Sequence, residues 1–335
     1  MVATSSTPRV RIGVISTARI GWRQVIPATQ LASNCEVVAI SSRDLTTARH
    51  WADKLGIAKA YGSHEELLAD DEIDAIYNPL PNHLHAEWTM KAASAGKHVL
   101  CEKPFTLTAV EAEHAAAHCA AQGVVLMEAF MYRLHPSWVQ AKRLVDSGAI
   151  GVLTAIQGWF SYYNTDTANI RNVAEYGGGA LYDIGCYPIN ASRLIFGSEP
   201  EVVGATIVRD PQLMVDTVTS ALLRFGDATA TFTCSTRVEP DQRMHIYGSE
   251  GVLTIDIPFN IPPDRHTHIQ LSHGGQRPVN PDVRVISFAP CDQYTVQAET
   301  FANSILSGTP PPFGAEDAVA NMRVIDAVFA AGAGG

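Results

Sequence analysis

Three side chains of this sequence have the types and spacing needed to move a proton. Lys103 follows the apolar run 98–101, and Asp183 and Tyr187 stand four residues apart. A phenol with a pKa of about 10 is a poor base at neutral pH, but a nearby ammonium stabilises the phenolate. At about 4 Å and an effective dielectric constant of about 20, that attraction is worth up to ~4 kcal/mol. Lys103, Asp183 and Tyr187 are therefore predicted to be catalytic residues of an oxidoreductase.

Asp183 and Tyr187 would lie on one face if this segment is helical, because residues four apart are neighbours on a helix. Asp183 is then assigned to orienting a substrate hydroxyl or Lys103. Arg171 and Tyr163 are predicted to bind substrate as well. Three further side chains are weaker candidates: Arg133, Trp159 and Tyr162. The alternative interpretation of these residues is structural: Asp183 caps a helix, Tyr187 is a core aromatic and Lys103 is a solvated strand end.

A glycine-containing turn, from Gly13 to Gly21, follows the first apolar β-branched run. Ala18 takes the place of the usual middle glycine. A turn of this kind aims backbone N–H groups and a helix N-terminus at a pyrophosphate. Gly13, Ala18, Arg19 and Ile20 are therefore predicted to bind a dinucleotide cofactor.

The end of the second strand selects the form of that cofactor. An acidic residue there would hydrogen-bond a ribose 2′-hydroxyl, but this chain has Ser42 and Arg43. A guanidinium pairs well with a phosphate, so the sequence predicts NADP(H) rather than NAD(H). Asp44 is predicted to cap the following helix.

The loop after the third strand belongs to the same predicted sheet edge. It reads Asn-Pro-Leu-Pro-Asn-His-Leu-His from residue 78 to residue 85. Ligands bind at the carboxyl edge of open α/β sheets. Further predicted cofactor contacts are Pro79, Leu80, Asn82, His85, Glu102 and Lys103. His85 has a second interpretation, a helix-start residue whose hydrogen bonds are structural.

Strand-like and helical runs alternate through the first part of the chain, which predicts a doubly wound parallel sheet of the Rossmann type. Its predicted strands are 10–15, 37–40, 73–77, 98–101 and 124–127. Strand-like runs then dominate, which predicts an α+β domain with a large, mostly antiparallel open sheet and helices on one face. These runs are 153–160, 201–209, 217–225, 228–235 and 252–257. The predicted domains are residues 1–128, which bind NADP, and 129–335, which bind substrate and form the oligomer.

Composition limits the partners. A formal net charge of −10 argues against nucleic acid and against an anionic membrane. The polar N-terminus lacks the apolar stretch of a secretory signal, and the six cysteines are scattered, so a cytoplasmic protein is expected. His266, His268 and His273 have a metal-like spacing but no complementary ligand, so no metal site is predicted.

Together these motifs resemble the glucose–fructose oxidoreductase/inositol dehydrogenase (Gfo/Idh/MocA) family. The resemblance rests on the glycine turn, Asn78-Pro79, Glu102-Lys103-Pro104 and the Asp-x-Gly-x-Tyr motif at 183–187. Many members have histidine where this chain has Tyr187. Tyrosine there resembles NADP-dependent aldose (D-xylose) dehydrogenases, dimeric dihydrodiol dehydrogenases and some ketosugar reductases. The resemblance implies a homodimer or homotetramer formed through the C-terminal sheet.

The predicted reaction is hydride transfer between C1 of an aldose, a pentose or a hexose, and NADP(H). The open alternatives are a ketosugar reductase, an aldose–aldose or glucose–fructose-type oxidoreductase, and a trans-dihydrodiol dehydrogenase. A protein that senses NADP(H) without turnover is a different class. The intact Lys103, Asp183 and Tyr187 set argues against that class, because a sensor needs no proton relay.

Overall fold

The structure is a computed structural model that describes residues 8–274 and 282–333. The expectation about a secretory signal concerns residues 1–7 in large part, and these lie outside the described residues. The chain forms two compact units, Met1–Met131 with Tyr294–Val319, and Tyr132–Gln293 with Ala320–Gly335. The predicted division at residue 128 therefore differs from the observed one in two ways. The boundary lies at residue 131, and one C-terminal segment joins the first unit.

The first unit contains a six-stranded parallel sheet. Its strands are β1 Val10–Ile15, β2 Cys35–Ser41, β3 Lys59–Tyr61, β4 Ala75–Asn78, β5 His98–Cys101 and β6 Leu126–Glu128. The order β3-β2-β1-β4-β5-β6 is that of a doubly wound dinucleotide-binding sheet, so the predicted Rossmann fold is confirmed. Strand β3 was not predicted, because it has three residues and none of them is buried. The strand order reverses between β1 and β4, which is where ligands bind in such sheets.

Helices connect these strands. They are α1 Ile26–Gln30, preceded by a π-helical turn Gly21–Val25, then α2 Leu45–Leu55, α3 His64–Leu68, α4 His85–Ser94 and α5 Ala109–Ala121. The Asp44 side chain accepts hydrogen bonds from the backbone N–H groups of Thr46 and Thr47. This confirms the predicted cap of α2. The helix ends at Gly56, whose φ of 66° is left-handed.

The second unit contains an eight-stranded sheet. Its strands are β7 Leu153–Tyr163, β8 Glu201–Arg209, β9 Asp216–Phe225, β10 Ala228–Ser235, β11 Arg237–Gly248, β12 Val252–Ile255, β13 Thr267–His273 and β14 Asp282–Phe288. Their order is β14-β13-β12-β11-β7-β10-β9-β8, and every pair is antiparallel except β7 with β10. The predicted, mostly antiparallel sheet is confirmed. Strand β11 was not predicted, because Pro240 and its charged neighbours disfavour strand structure.

Four further α-helices lie in the rest of the described chain. They are α6 Pro136–Asp146, α7 Cys186–Phe196, α8 Gln293–Ser307 and α9 Ala315–Gly332. Three residues of α8, namely Ala298, Phe301 and Ala302, are buried in the same apolar core as β1 and β2. This packing explains why the segment beginning at Tyr294 joins the first unit.

The two faces of the second sheet differ. Helix α7 packs on one face, where a Cβ on Gly158 would lie 2.8 Å from Pro188 Cβ. Since side chains alternate along a strand, Gln157 and Trp159 point to the other face. That face carries a shallow concavity of about 320 Å³, which is also lined by Thr231, Thr233, Asp241, Arg243 and His245. None of the described helices combines the length and the apolar character needed to cross a bilayer.

Candidate active site

Lys103 lies in a turn that follows β5, and buried polar contacts hold this turn in place. Glu102 N–H donates to the carbonyl oxygen of Asn78 at 3.0 Å. The Tyr77 hydroxyl donates to Glu102 Oε1 at 2.7 Å. Two residues after Lys103, the backbone N–H of Phe105 donates to Glu128 Oε1 at 2.8 Å, and Glu128 is 5% exposed. The turn is therefore bound to both neighbouring strands, β4 and β6.

His85 holds the same turn from a third side. Its Nδ1 lies 2.8 Å from the carbonyl oxygen of Pro104, and its Nε2 lies 2.7 Å from that of Leu80. Burial lowers the pKa of His85 to about 4, although the two carbonyl contacts act in the opposite direction. Both ring nitrogens thus face backbone carbonyls of the protein, and the neutral ring donates a hydrogen bond to one of them. This geometry matches the structural interpretation of His85, and a contact of His85 with the cofactor stays a prediction.

The glycine turn lies at the carboxyl end of β1, where the strand order reverses. Ser16 has a φ of 94°, and its hydroxyl accepts a hydrogen bond from Ala18 N–H at 3.3 Å. A Cβ on Gly13 would lie 2.9 Å from Leu67 Cδ2. A side chain at position 13 would therefore force Leu67 of α3 to shift away from β1. Contacts of Gly13, Ala18, Arg19 and Ile20 with a cofactor stay predictions.

Ser42 and Arg43 follow β2 directly at the same sheet edge. Arg43 is exposed and takes part in no ion pair found within residues 8–274 and 282–333. Ser42 is half-buried. The nearest acid in sequence, Asp44, is engaged in the cap of α2. An exposed guanidinium beside a neutral hydroxyl fits the phosphate of NADP(H) better than a 2′-hydroxyl.

Asp183 and Tyr187 lie on one helical segment of the second unit, as predicted. A π-helical turn, Leu181–Gly185, continues directly into α7. Tyr187 is 5% exposed. Its ring centroid lies 5.0 Å from that of Phe259, 5.5 Å from Phe160 and 5.8 Å from Tyr132. The aromatic neighbours fix the direction in which the phenol points.

Two donors from other parts of the second unit meet at the Asp183 carboxylate. The Tyr162 hydroxyl donates to Oδ2 at 2.6 Å, and Arg171 Nε donates to the same oxygen at 2.9 Å. Burial, followed by the Asp183 charge, raises the pKa of Tyr162 above its ordinary value. The Asp183 charge likewise raises the pKa of Arg171. Tyr162 therefore stays a protonated donor, and Arg171 stays a cation.

The position of Tyr162 follows from the alternation of side chains along β7. Tyr162 shares a face with Phe160, which packs against Tyr187. Tyr163 points to the other face and is 64% exposed. Tyr163 was predicted to bind substrate and Tyr162 was a weaker candidate, because the face that β7 presents to α7 is not visible in the sequence. Substrate binding by Tyr163 and Arg171 stays a prediction.

Two of the three glycines before this helix pack closely against the protein's own chain. Gly178 could not accept a side chain, because its Cβ would lie 2.6 Å from the carbonyl oxygen of Arg171. At Gly179, φ is 118° and a Cβ would lie 2.0 Å from Asp216 Oδ1. Asp216 was not predicted, because it belongs to no sequence motif. Asp216 is 1% exposed, and its Oδ2 accepts hydrogen bonds from Leu181 N–H and the Thr219 hydroxyl, each at 2.8 Å.

The remaining candidates differ in exposure and in position. Arg133 is 6% exposed, and Trp159 donates its ring N–H to Ser161 on the open sheet face. Pro79 and Leu80 are buried, whereas Asn82 is half-buried. Among the described residues, no group of three His, Cys, Asp or Glu side chains has an arrangement suited to a metal ion.

Comparisons with known proteins agree with this fold and with these motifs. Residues 10–130 match the oxidoreductase family with an NAD-binding Rossmann fold, GFO_IDH_MocA. Residues 138–254 match the GFO/IDH/MocA C-terminal domain. The oxidoreductase ORF334 of Rhizobium meliloti is 44% identical over 321 residues, which cover 95% of this chain and 96% of that protein. The chain belongs to the Gfo/Idh/MocA family.

Two other proteins similar to this chain are named for an activity. The D-xylose 1-dehydrogenase (NADP(+)) 2 of Haloferax volcanii is 40% identical over 319 residues, which cover 95% of each chain. The 3-ketoreductase KijD10 of Actinomadura kijaniata, solved in complex with NADP and TDP-benzene, has a TM-score of 0.89 and 33% identity. That similarity covers 96% of this chain and 98% of KijD10.

Proposed function

We propose that this Gfo/Idh/MocA member is an NADP-dependent sugar oxidoreductase that transfers hydride between C1 of an aldose and the nicotinamide. The observation that supports this most is the arrangement around Asp183. The Asp183 side chain is only 12% exposed, and its carboxylate accepts hydrogen bonds from Tyr162 and Arg171. Tyr187 follows four residues later, and aromatic neighbours fix its ring. If Asp183 only capped a helix and Tyr187 were only a core aromatic, two side-chain donors on one oxygen of Asp183 would not be required.

The proposed mechanism divides proton and hydride between protein and cofactor. Bound NADP⁺ would supply the acceptor for the hydride that leaves C1. Tyr187 accepts the proton of the C1 hydroxyl, and the Lys103 ammonium binds the reacting oxygen and stabilises the phenolate. Asp183 accepts a hydrogen bond from a substrate hydroxyl and thereby orients the sugar. Reduction runs through the same groups with Tyr187 as the proton donor.

The proposed cofactor is NADP(H), and the chain's own residues fit it. The backbone around Ala18, Arg19 and Ile20 would receive the pyrophosphate, and Ser42 with Arg43 would receive the 2′-phosphate. The xylose dehydrogenase and KijD10 support this choice, because one is NADP-dependent by name and the other was solved with NADP. Glu102 and the loop with Pro79, Leu80 and Asn82 are the proposed supports of the nicotinamide ribose.

The open face of the second sheet is the proposed interface of a homodimer or homotetramer. Trp159 and Arg243 lie on it, and both residue types are enriched in the energetic centres of interfaces. The Trp159 side chain on this face is half-buried in the single chain. We expect such an enzyme to work in the cytoplasm.

A ketosugar reductase is the second candidate. KijD10 is a 3-ketoreductase, and its similarity extends over nearly the whole of both chains. KijD10 has also been solved with one tyrosine replaced by phenylalanine and with one lysine replaced by alanine or glutamate. The same residue types support the proposed relay here. The carbonyl of a ketosugar would occupy the place of C1.

The test combines a substrate panel with two variants. The panel contains pentoses and hexoses with NADP⁺, a dTDP-ketosugar with NADPH, and a trans-dihydrodiol with NADP⁺, each followed by NADPH absorbance. Lys103→Met and Tyr187→Phe are each expected to lose at least ~100-fold in kcat with the Kd for NADP(H) changed by less than about threefold. Cofactor binding without turnover on any substrate would favour a sensor, and wild-type turnover in either variant would refute the relay.

A further inference from the structure

Tyr162 has no role in the mechanism proposed above, yet its hydroxyl makes the shortest described contact of Asp183. The O–O distance of 2.6 Å is typical of a hydroxyl that donates to a carboxylate. Tyr162 lies at the end of β7, and Asp183 lies in the π-helical turn that leads into α7. The contact therefore joins the sheet to the segment that carries Asp183 and Tyr187.

Arg171 provides the second contact on the same oxygen, and its own backbone is held. Its N–H donates to Asn169 Oδ1 at 3.1 Å, and its carbonyl oxygen accepts from Gly179 N–H at 2.9 Å. Tyr162 and Arg171 thus approach Oδ2 from two separate segments. The carboxylate cannot turn about its Cβ–Cγ bond without breaking both hydrogen bonds, so the direction of Oδ1 is fixed as well.

We propose that Tyr162 is a positioning residue, which together with Arg171 fixes the Asp183 carboxylate in the orientation that binds the substrate hydroxyl. The inference rests on the proposed function. Burial and the Asp183 charge raise the pKa of Tyr162, so its hydroxyl donates at every working pH and cannot compete with Tyr187 as a base. The two tyrosines near Asp183 therefore have separate tasks: Tyr162 orients the carboxylate, and Tyr187 exchanges the proton with the substrate.

Kinetics of Tyr162→Phe in the full-length protein test this role. Loss of a hydrogen bond to a charged group is expected to lower kcat/KM for the sugar by about 10- to 100-fold, with the Kd for NADP(H) changed by less than about threefold. The matched control is Tyr61→Phe, since Tyr61 donates to Asp70 Oδ2 at 2.7 Å in the first unit. That variant removes an equivalent tyrosine–aspartate hydrogen bond and is expected to keep wild-type kcat/KM within about twofold.

A double-mutant cycle separates positioning from general structural support. In an Asp183→Asn background, Tyr162→Phe is expected to change kcat/KM by less than about threefold, because the carboxylate it positions is gone. An undiminished loss in that background would overturn the proposal. A larger loss in Tyr163→Phe than in Tyr162→Phe would also overturn it, because the exposed neighbour would then be the one that acts on substrate.

A crystal structure of Tyr162→Phe gives a readout that needs no substrate. We expect the Asp183 carboxylate to rotate away from its wild-type plane while the α7 backbone stays in place. An unmoved carboxylate would overturn the proposal even if no sugar were turned over. A wild-type protein without NADP(H) turnover would instead refute the proposed function, so the two failures are distinguishable.

Discussion

Replacement of Gly179 by alanine is the sharpest test of how the helical segment with Asp183 and Tyr187 is held. The residue has a φ of 118°, which L side chains rarely adopt, and its added Cβ would lie 2.0 Å from Asp216 Oδ1 and 3.0 Å from Asp216 Cγ. The same carboxylate accepts the hydrogen bond of Leu181 N–H at the start of the π-helical turn. Relief of the clash must therefore move either the glycine turn or the group that caps the helix.

The expected magnitude has two parts. A residue held in a sparsely populated backbone region costs about 1–3 kcal/mol. Overpacking of a buried site costs typically about 1–3 kcal/mol more. The sum is about 2–6 kcal/mol, and each kcal/mol lowers the melting temperature of a unit of 150–250 residues by about 2–4 °C. A loss of at least about 4 °C is therefore expected.

Gly197→Ala provides a matched control. Gly197 ends α7 with a φ of 66°, so alanine there also adopts a left-handed conformation, but a Cβ would meet nothing within 4 Å. This control is expected to lose only about 1–2 kcal/mol. Calorimetry gives the melting temperatures of both variants, and steady-state kinetics give their kcat/KM. Equal melting temperatures, or an unchanged kcat/KM in Gly179→Ala, would refute the view that contact with Asp216 requires a glycine at position 179.

Two further predictions concern the first unit. Arg43→Ala is expected to raise KM for NADP⁺ by about 10- to 100-fold while KM for NAD⁺ changes by less than about threefold, because only the 2′-phosphate loses a charged partner. Steady-state kinetics with both cofactors measure this, and an equal rise for both would contradict the phosphate assignment. The second prediction concerns His85, whose pKa in the folded protein is lowered from 6.5 to about 4. The unfolded chain takes up this proton first as pH falls, so His85 contributes full stability above about pH 6.5, and about 3 kcal/mol is lost by pH 4. Denaturant unfolding from pH 7 to pH 4.5 should show a shallower pH dependence for His85→Gln than for the wild type, and identical slopes would exclude a buried neutral His85.

Local patterns in the sequence predicted much of this fold. Alternating apolar runs and helices indicated the parallel sheet, because burial on both faces requires continuous apolar strands. Asp44 before a helix indicated a cap, because the side-chain oxygen reaches N–H groups only two and three residues away. Strand β11 escaped prediction because Pro240 and its charged neighbours oppose a strand, and pairing with β7 and β12 overrides that preference.

The sequence by itself determined the family, the Rossmann sheet and the helical segment that carries Asp183 and Tyr187, since each depends on residues close together in the chain. Only the tertiary structure decided what holds Asp183. The choice of Tyr162 over Tyr163 depends on which face of β7 meets α7, and Tyr162 lies 21 residues from Asp183. The contact between Gly179 and Asp216 likewise joins segments distant in sequence, and so does the burial of α8 in the same core as β1 and β2. No local spacing encodes the meeting of such segments.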